Sequence, residues 1–216
     1  MTDLNRGIND IAPRRGFLRF GGAITLGLVG LASKRLYAQA EAADDGPNWP
    51  GALQGRHRQV VDAYEANGGF PLAFAHTFLV PNKSATAVVV LRHGAFPIAL
   101  GNAMWGKYKI GESLKIIDPE SKVSAIKNPF LRPKPGVLLA DDFAIDRLLD
   151  RGVVIGACNM ALQVQSKMLA GKAGVTAEEA AKEWATNVIP GITIIPSGTW
   201  GVNRAQEMGC TYCAGG

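Results

Sequence analysis

The chain has 216 residues, is 47% hydrophobic and 19% charged, and carries a formal net charge of +5. Six Lys/Arg and two acids in residues 1–40 account for +4 of that charge, so residues 41–216 stand near +1 and offer no nucleic-acid footprint. Residues 41–216 fit one domain of ordinary size with one good core.

The N-terminal forty residues read as a targeting segment. Arg14-Arg15-Gly16-Phe17-Leu18-Arg19 precedes a glycine-rich apolar stretch from Gly21 to Ala32, then Lys34-Arg35 and the small-residue site Ala38-Gln39-Ala40. This resembles a bacterial twin-arginine signal peptide cleaved after Ala40. Pro13 stands where Ser or Thr is usual, and Arg19 replaces the common Lys. The apolar stretch is short for a membrane span; an uncleaved anchor or a basic tail is the alternative. The resemblance implies export of the folded protein by the twin-arginine translocase, hence folding in a reducing compartment and work in the oxidising periplasm.

Asp44-Asp45-Gly46-Pro47-Asn48-Trp49-Pro50 reads as an extended linker, taken as 41–54, ahead of one domain over 55–216. Residues 55–67 suggest a helix on Arg58, Val60, Val61 and Tyr64, ended by Gly68-Gly69. Residues 74–79 alternate like a strand closed by Pro81-Asn82. Ala85 to Leu91 is nearly all apolar, as a strand buried on both faces should be. Pro97 to Lys109 predicts a helix with proline in its first turn. A short helix over 142–150 stops at Gly152.

Val153 to Ala157 predicts a second buried strand, and Asn159 to Leu169 a helix. Thr176-Ala-Glu-Glu179 is a capping box opening a helix to about Asn187. Ile192 to Ile195 is a third buried strand. Ser197-Gly198-Thr199 starts a last helix through Met208, closed by Gly209. Strands and helices alternating in short units predict an α/β fold, a single-domain parallel sheet flanked by helices. Ligands of such sheets sit beyond the carboxyl ends of the strands. That singles out Arg92-His93-Gly94, Cys158-Asn159 and Pro196-Ser197-Gly198.

Cys158 is the leading candidate. A thiol between a strand end and a helix start meets the positive end of the helix dipole, which favours a thiolate nucleophile. Gly156 and Ala157 leave room for an adduct; a buried structural cysteine is the alternative. His93, after a buried strand and before Gly94, is a candidate base or proton shuttle, or else a loop histidine bonded to backbone. Arg92 is a candidate anion holder. Ser197 and Gly198 suit an anion cradle or a plain N-cap. Cys210-Thr-Tyr-Cys213 reads as a redox pair, half a zinc site or a disulfide; a tetrahedral zinc would need two further ligands that nothing fixes. No nucleotide-binding glycine motif or serine elbow is present, so no cofactor is expected.

Val88 to Gly94, Gly152-Val-Val-Ile-Gly-Ala-Cys158 and Ile195-Pro-Ser-Gly198 through Ala205-Gln-Glu-Met-Gly-Cys210 resemble the DsrE/DsrF-like proteins, over roughly Pro71 to Cys213. The resemblance implies a DsrE-like, flavodoxin-resembling fold, often in trimers or hexamers. It also implies sulfur transfer through a cysteine persulfide, with Cys158 at the relay position. The partners it implies are a sulfur donor or acceptor protein or a small sulfur compound, and further copies of the chain. The expected function is exported sulfane-sulfur handling on Cys158, with Cys210 and Cys213 resolving the adduct and Asn159 lining the site. The alternative is a non-catalytic periplasmic binding or assembly module whose cysteines are structural or bind metal.

Overall fold

The structure is a computed structural model describing residues 47–136 and 141–216. The expected signal peptide and the first residues of the linker lie outside them.

Five parallel strands form one sheet in the order β4-β3-β2-β1-β5. They are β1 (His57–Ala63), β2 (Ala85–Leu91), β3 (Val154–Cys158), β4 (Ile192–Ile195) and β5 (Thr211–Ala214). The helices are α1 (Phe70–Leu79), α2 (Asn102–Lys107), α3 (Ile110–Leu114), α4 (Ile145–Asp150), α5 (Asn159–Ala173), α6 (Ala177–Thr186) and α7 (Gly198–Glu207). The α/β class and the parallel, helix-flanked sheet expected from the sequence are therefore present.

Central strands carry the apolar runs because both of their faces are covered. In β2, Ala87, Val89 and Leu91 face one core layer, while Val88 and Val90 face the other. The larger layer holds the buried sides of α1, α4, α5 and α6, including Leu72, Leu148, Leu162 and Trp184. The smaller layer lies under α7, with Ala205 against Val60, Val88, Val90 and Ile195. The crossovers from β1 to β4 thus use one face, and the return from β4 to β5 uses the other. This is the arrangement that right-handed crossovers impose when the chain reverses direction across a sheet.

Two expected elements are exchanged. The helix expected over 55–67 is strand β1, paired with β2 along all seven residues. Its adjacent Val60 and Val61 both bury fully, on opposite faces, because each face of β1 is covered by a core layer. The strand expected over 74–79 belongs to helix α1, with Pro71 in its first turn. Leu72, Ala75 and Leu79 are the α1 residues in the larger core layer, a helical spacing, whereas Phe74 and Phe78 are only partly covered. Pro97 falls in a 3₁₀ segment, His93–Ala99, and the helix beyond it starts only at Asn102.

Elsewhere the local signals hold. The Thr176 capping box closes in both directions. Gly152 and Gly209 take positive φ values of 79° and 84° at their turns. The described part of the expected linker is packed rather than free. Trp49 and Leu53 are buried in the smaller layer, and Trp49 lies across Gly156 and Gly201. No helix among the described residues is long and apolar enough to cross a membrane.

Candidate functional site

Cys158 ends β3 and caps α5. Its Sγ accepts a hydrogen bond from the Ala161 amide at 3.3 Å, and the residue is 5% exposed. β3 turns out to α5 on the larger layer, whereas its neighbour β4 turns out to α7 on the smaller one. The adjacent carboxyl ends therefore diverge between Cys158-Asn159 and Pro196-Ser197-Gly198. Such a divergence is the topological switch point where open α/β sheets hold ligands. Asn159, half-buried, accepts a bond from Gln163 Nε2 at 3.4 Å.

Ser197 acts as the N-cap of α7, accepting from the Trp200 amide at 3.1 Å. Its oxygen thus fills the plain N-cap role that the sequence offers. Gly198 is required for packing: a Cβ there would fall 2.5 Å from the Arg92 side chain. This contact brings the β2 and β4 loops together, as the sequence suggests. Arg92, however, is already neutralised. Its Nε and Nη2 donate to the two carboxylate oxygens of Asp62 at 2.6 and 2.9 Å. That bond to Asp62 is also the main reason the guanidinium is held above its usual range. Tyr212 on β5 donates to the same carboxylate at 3.1 Å. Asp62 is therefore the hub joining β1, β2 and β5.

His93 is turned away from Cys158. Arg92, the first residue past β2, is level with Cys158, one step beyond the Leu91–Ala157 pair. The His93 imidazole swings instead toward the residues after β1. It stacks on Tyr64 at 4.2 Å, and its Nδ1 shares a hydrogen bond with Glu65 at 2.8 Å. Arg92 covers the Tyr64 ring at 4.7 Å. The expected pairing of His93 with the thiol is replaced by this separate cluster. The His93 carbonyl is held by Gln165 of α5. Gly94 is needed because the Glu65 carboxylate occupies the space of its absent Cβ.

Cys210 and Cys213 do not act together. All three cysteines are free thiols. Cys210 packs in the smaller layer, and Cys213, level with Val61, packs against the larger one. Three residues of extended chain separate their Cα atoms by roughly 10 Å, beyond the reach of a disulfide. Cys213 sits three strands from β3, roughly 14 Å across the sheet, and about 10 Å short of Cys158 along it. The expected resolving role therefore has no geometric basis. Burial pushes both terminal thiols above the ordinary range, opposed at Cys210 by Arg58. Among the described residues, no group of three or more His, Cys, Asp or Glu side chains is arranged to hold a metal.

An open cavity of about 530 Å³ lies beside this cluster, between Glu65, Asn67 and Gly94 on one wall and Lys115, Ile116 and Phe130 on the other. A smaller one of about 230 Å³, walled by Phe70, Leu72 and Phe143, shares Gly68 and Phe130 with it. Cys158 lines neither.

Sequence reasoning missed Asp62, Tyr64, Glu65 and Tyr212. A carboxylate closing the apolar run Val60-Val61 was the available signal, but it points to a sheet-edge site only once residues 57–63 are read as a strand. No family model matches this chain, and no curated protein matches it at a significant level.

Proposed function

We propose that the domain is an exported DsrE-like sulfur-handling module in which Cys158 carries sulfane sulfur. The supporting observation is the position of its thiol at the switch-point crevice, beside the start of α5. The Cys158 thiolate attacks the outer sulfur of a donor R–S–SH; a new S–S bond forms on Cys158 as the donor's S–S bond breaks. The donor departs as R–S⁻ and takes a proton from solvent. The Ala161 N–H stabilises negative charge on sulfur. No histidine takes part, and acceptors approach through the crevice between Asn159 and Ser197. The Arg14-Arg15 segment supports a periplasmic location for this chemistry.

Intact-mass measurement after incubation with polysulfide tests the reading. The wild-type protein should gain one sulfur atom, and Cys158→Ser should not. Sulfur carried on Cys213, the more exposed thiol, would refute it.

A second reading has its own support in the cavity beside Glu65, which no cysteine lines. There the domain is a binding module for a compact organic molecule with an apolar body, and the thiols are packing groups. Thermal-shift screening with the wild type and with Ile116→Trp, which fills the cavity, separates the two. A ligand lost in Ile116→Trp, together with an inert Cys158, favours the module.

A further inference from the structure

The segment between α3 and α4 builds a hairpin whose first arm, Lys115 to Ile117, also lines the cavity of the second reading, whereas Lys122, Val123, Ile126 and Lys127 do not. Ile117 and Ser124 pair antiparallel. The Asp118 amide donates to Val123 O at 2.8 Å and the Ala125 amide to Ile116 O at 2.9 Å. The tip is rigid, because Asp118 Oδ1 accepts from the amides of Glu120 and Ser121 at 2.7 and 2.9 Å. These bonds hold the Asp118 carboxyl below its usual range. The base is anchored too. Ala125 backbone sits directly on Gly111, where a Cβ would come within 2.2 Å, and Asn128 Nδ2 donates to the carbonyls of Ile98 and Leu100.

Ala125 turns inward, 2% exposed; Val123 shares its face but stands clear at 60%, while Ile117 and Ile126 share the opposite face at 51% and 71%. Three exposed large aliphatic side chains, two of them, Ile117 and Ile126, on one face of a short hairpin, form an apolar surface without a partner among the described residues. Lysines flank them: Lys115 before the first arm, Lys122 at the turn and Lys127 after the second arm. None has an ion-pair partner among the described residues. The two acids of the tip are occupied, Asp118 by backbone amides and Glu120 by Lys134.

We propose that this hairpin docks the domain on an anionic lipid surface. The aliphatic side chains enter the headgroup boundary and the unpaired lysines meet lipid phosphates. Exposed aliphatic side chains on the hairpin arms with lysines beside them gain from both the apolar and the charged part of such a surface. The tip's ready-made rigidity means that little ordering cost attends docking.

Co-sedimentation of the full chain with vesicles tests this, comparing mixed phosphatidylglycerol–phosphatidylcholine vesicles with phosphatidylcholine alone. The wild type should pellet with the mixed vesicles at low salt and be released by high salt. The triple variant K115Q/K122Q/K127Q should lose about a hundredfold in partitioning, at about fivefold per lysine. I117S/I126S should lose binding while keeping its melting temperature. All variants retain the apolar stretch Gly21 to Ala32. Equal pelleting of wild type and both variants would therefore locate the contact in that stretch and overturn the proposal. A wild type that pellets with neither vesicle, or equally with both, overturns it as well.

Discussion

Replacing Asp62 by alanine removes the hub that ties three strands together at the sheet's carboxyl end. Three hydrogen bonds disappear, two from Arg92 at 2.6 and 2.9 Å and one from Tyr212 at 3.1 Å. The Asp62 side chain is 7% exposed and that of Arg92 26%. Breaking a buried ion pair from one side costs roughly 3–5 kcal/mol. Partial access of water to Arg92 lowers this, so D62A should cost about 2–4 kcal/mol in urea unfolding. R92M keeps the aliphatic packing on Gly198 but strands the more buried charge, leaving only the Tyr212 hydroxyl on it. Its cost should equal or exceed that of D62A. The double variant D62A/R92M removes both charges and should cost clearly less than the sum of the singles. A D62A cost below about 0.5 kcal/mol, or strict additivity in the cycle, would show that the pair is a solvated surface contact and refute the argument.

Gly156→Ala should destabilise by about 1–3 kcal/mol through overpacking, since the new Cβ would stand 2.6 Å from the Trp49 ring; tryptophan emission should report the displaced ring. Mild oxidation followed by alkylation under denaturing, non-reducing conditions should label both Cys210 and Cys213, because opposite sheet faces keep them apart; a protected pair would mean the terminal strand leaves the sheet. Burial raises the folded-state values of the Cys210 and Cys213 thiols above the ordinary 9.0. Their neutral forms therefore contribute stability that is fully present below that value. It is lost as pH rises beyond it, since the unfolded chain releases those protons first. Urea midpoints should fall between neutral and strongly alkaline pH, and C210S/C213S should flatten that fall.

Much of the architecture was legible because the signals were local. Ala85 to Leu91 announces a strand covered on two faces by being apolar at all but Thr86, and Ile192 to Ile195 reads as a strand in the same way although β4 is an edge strand whose Thr193 is exposed. Thr176 with Glu179, Ser197, Gly152 and Gly209 fix helix ends through bonds and φ values that lie within a few residues. Residues 57–63 and 74–79 were misread because their short patterns satisfy either period. β1 is a strand because β2 and β5 lie on its two sides, and α1 is a helix because its Leu72, Ala75 and Leu79 stripe meets the sheet.

Cys158 illustrates the same division at the candidate site. Sequence alone determined that the thiol ends a strand and begins a helix, because β-branched residues and small residues switch there within one turn of chain. Tertiary structure decided what surrounds it. His93 is near in register yet bonded to Glu65, Arg92 belongs to Asp62, and the terminal thiols are strands away. Those assignments depend on strand order and on which face each side chain takes, and both follow from long-range pairing that no local pattern encodes.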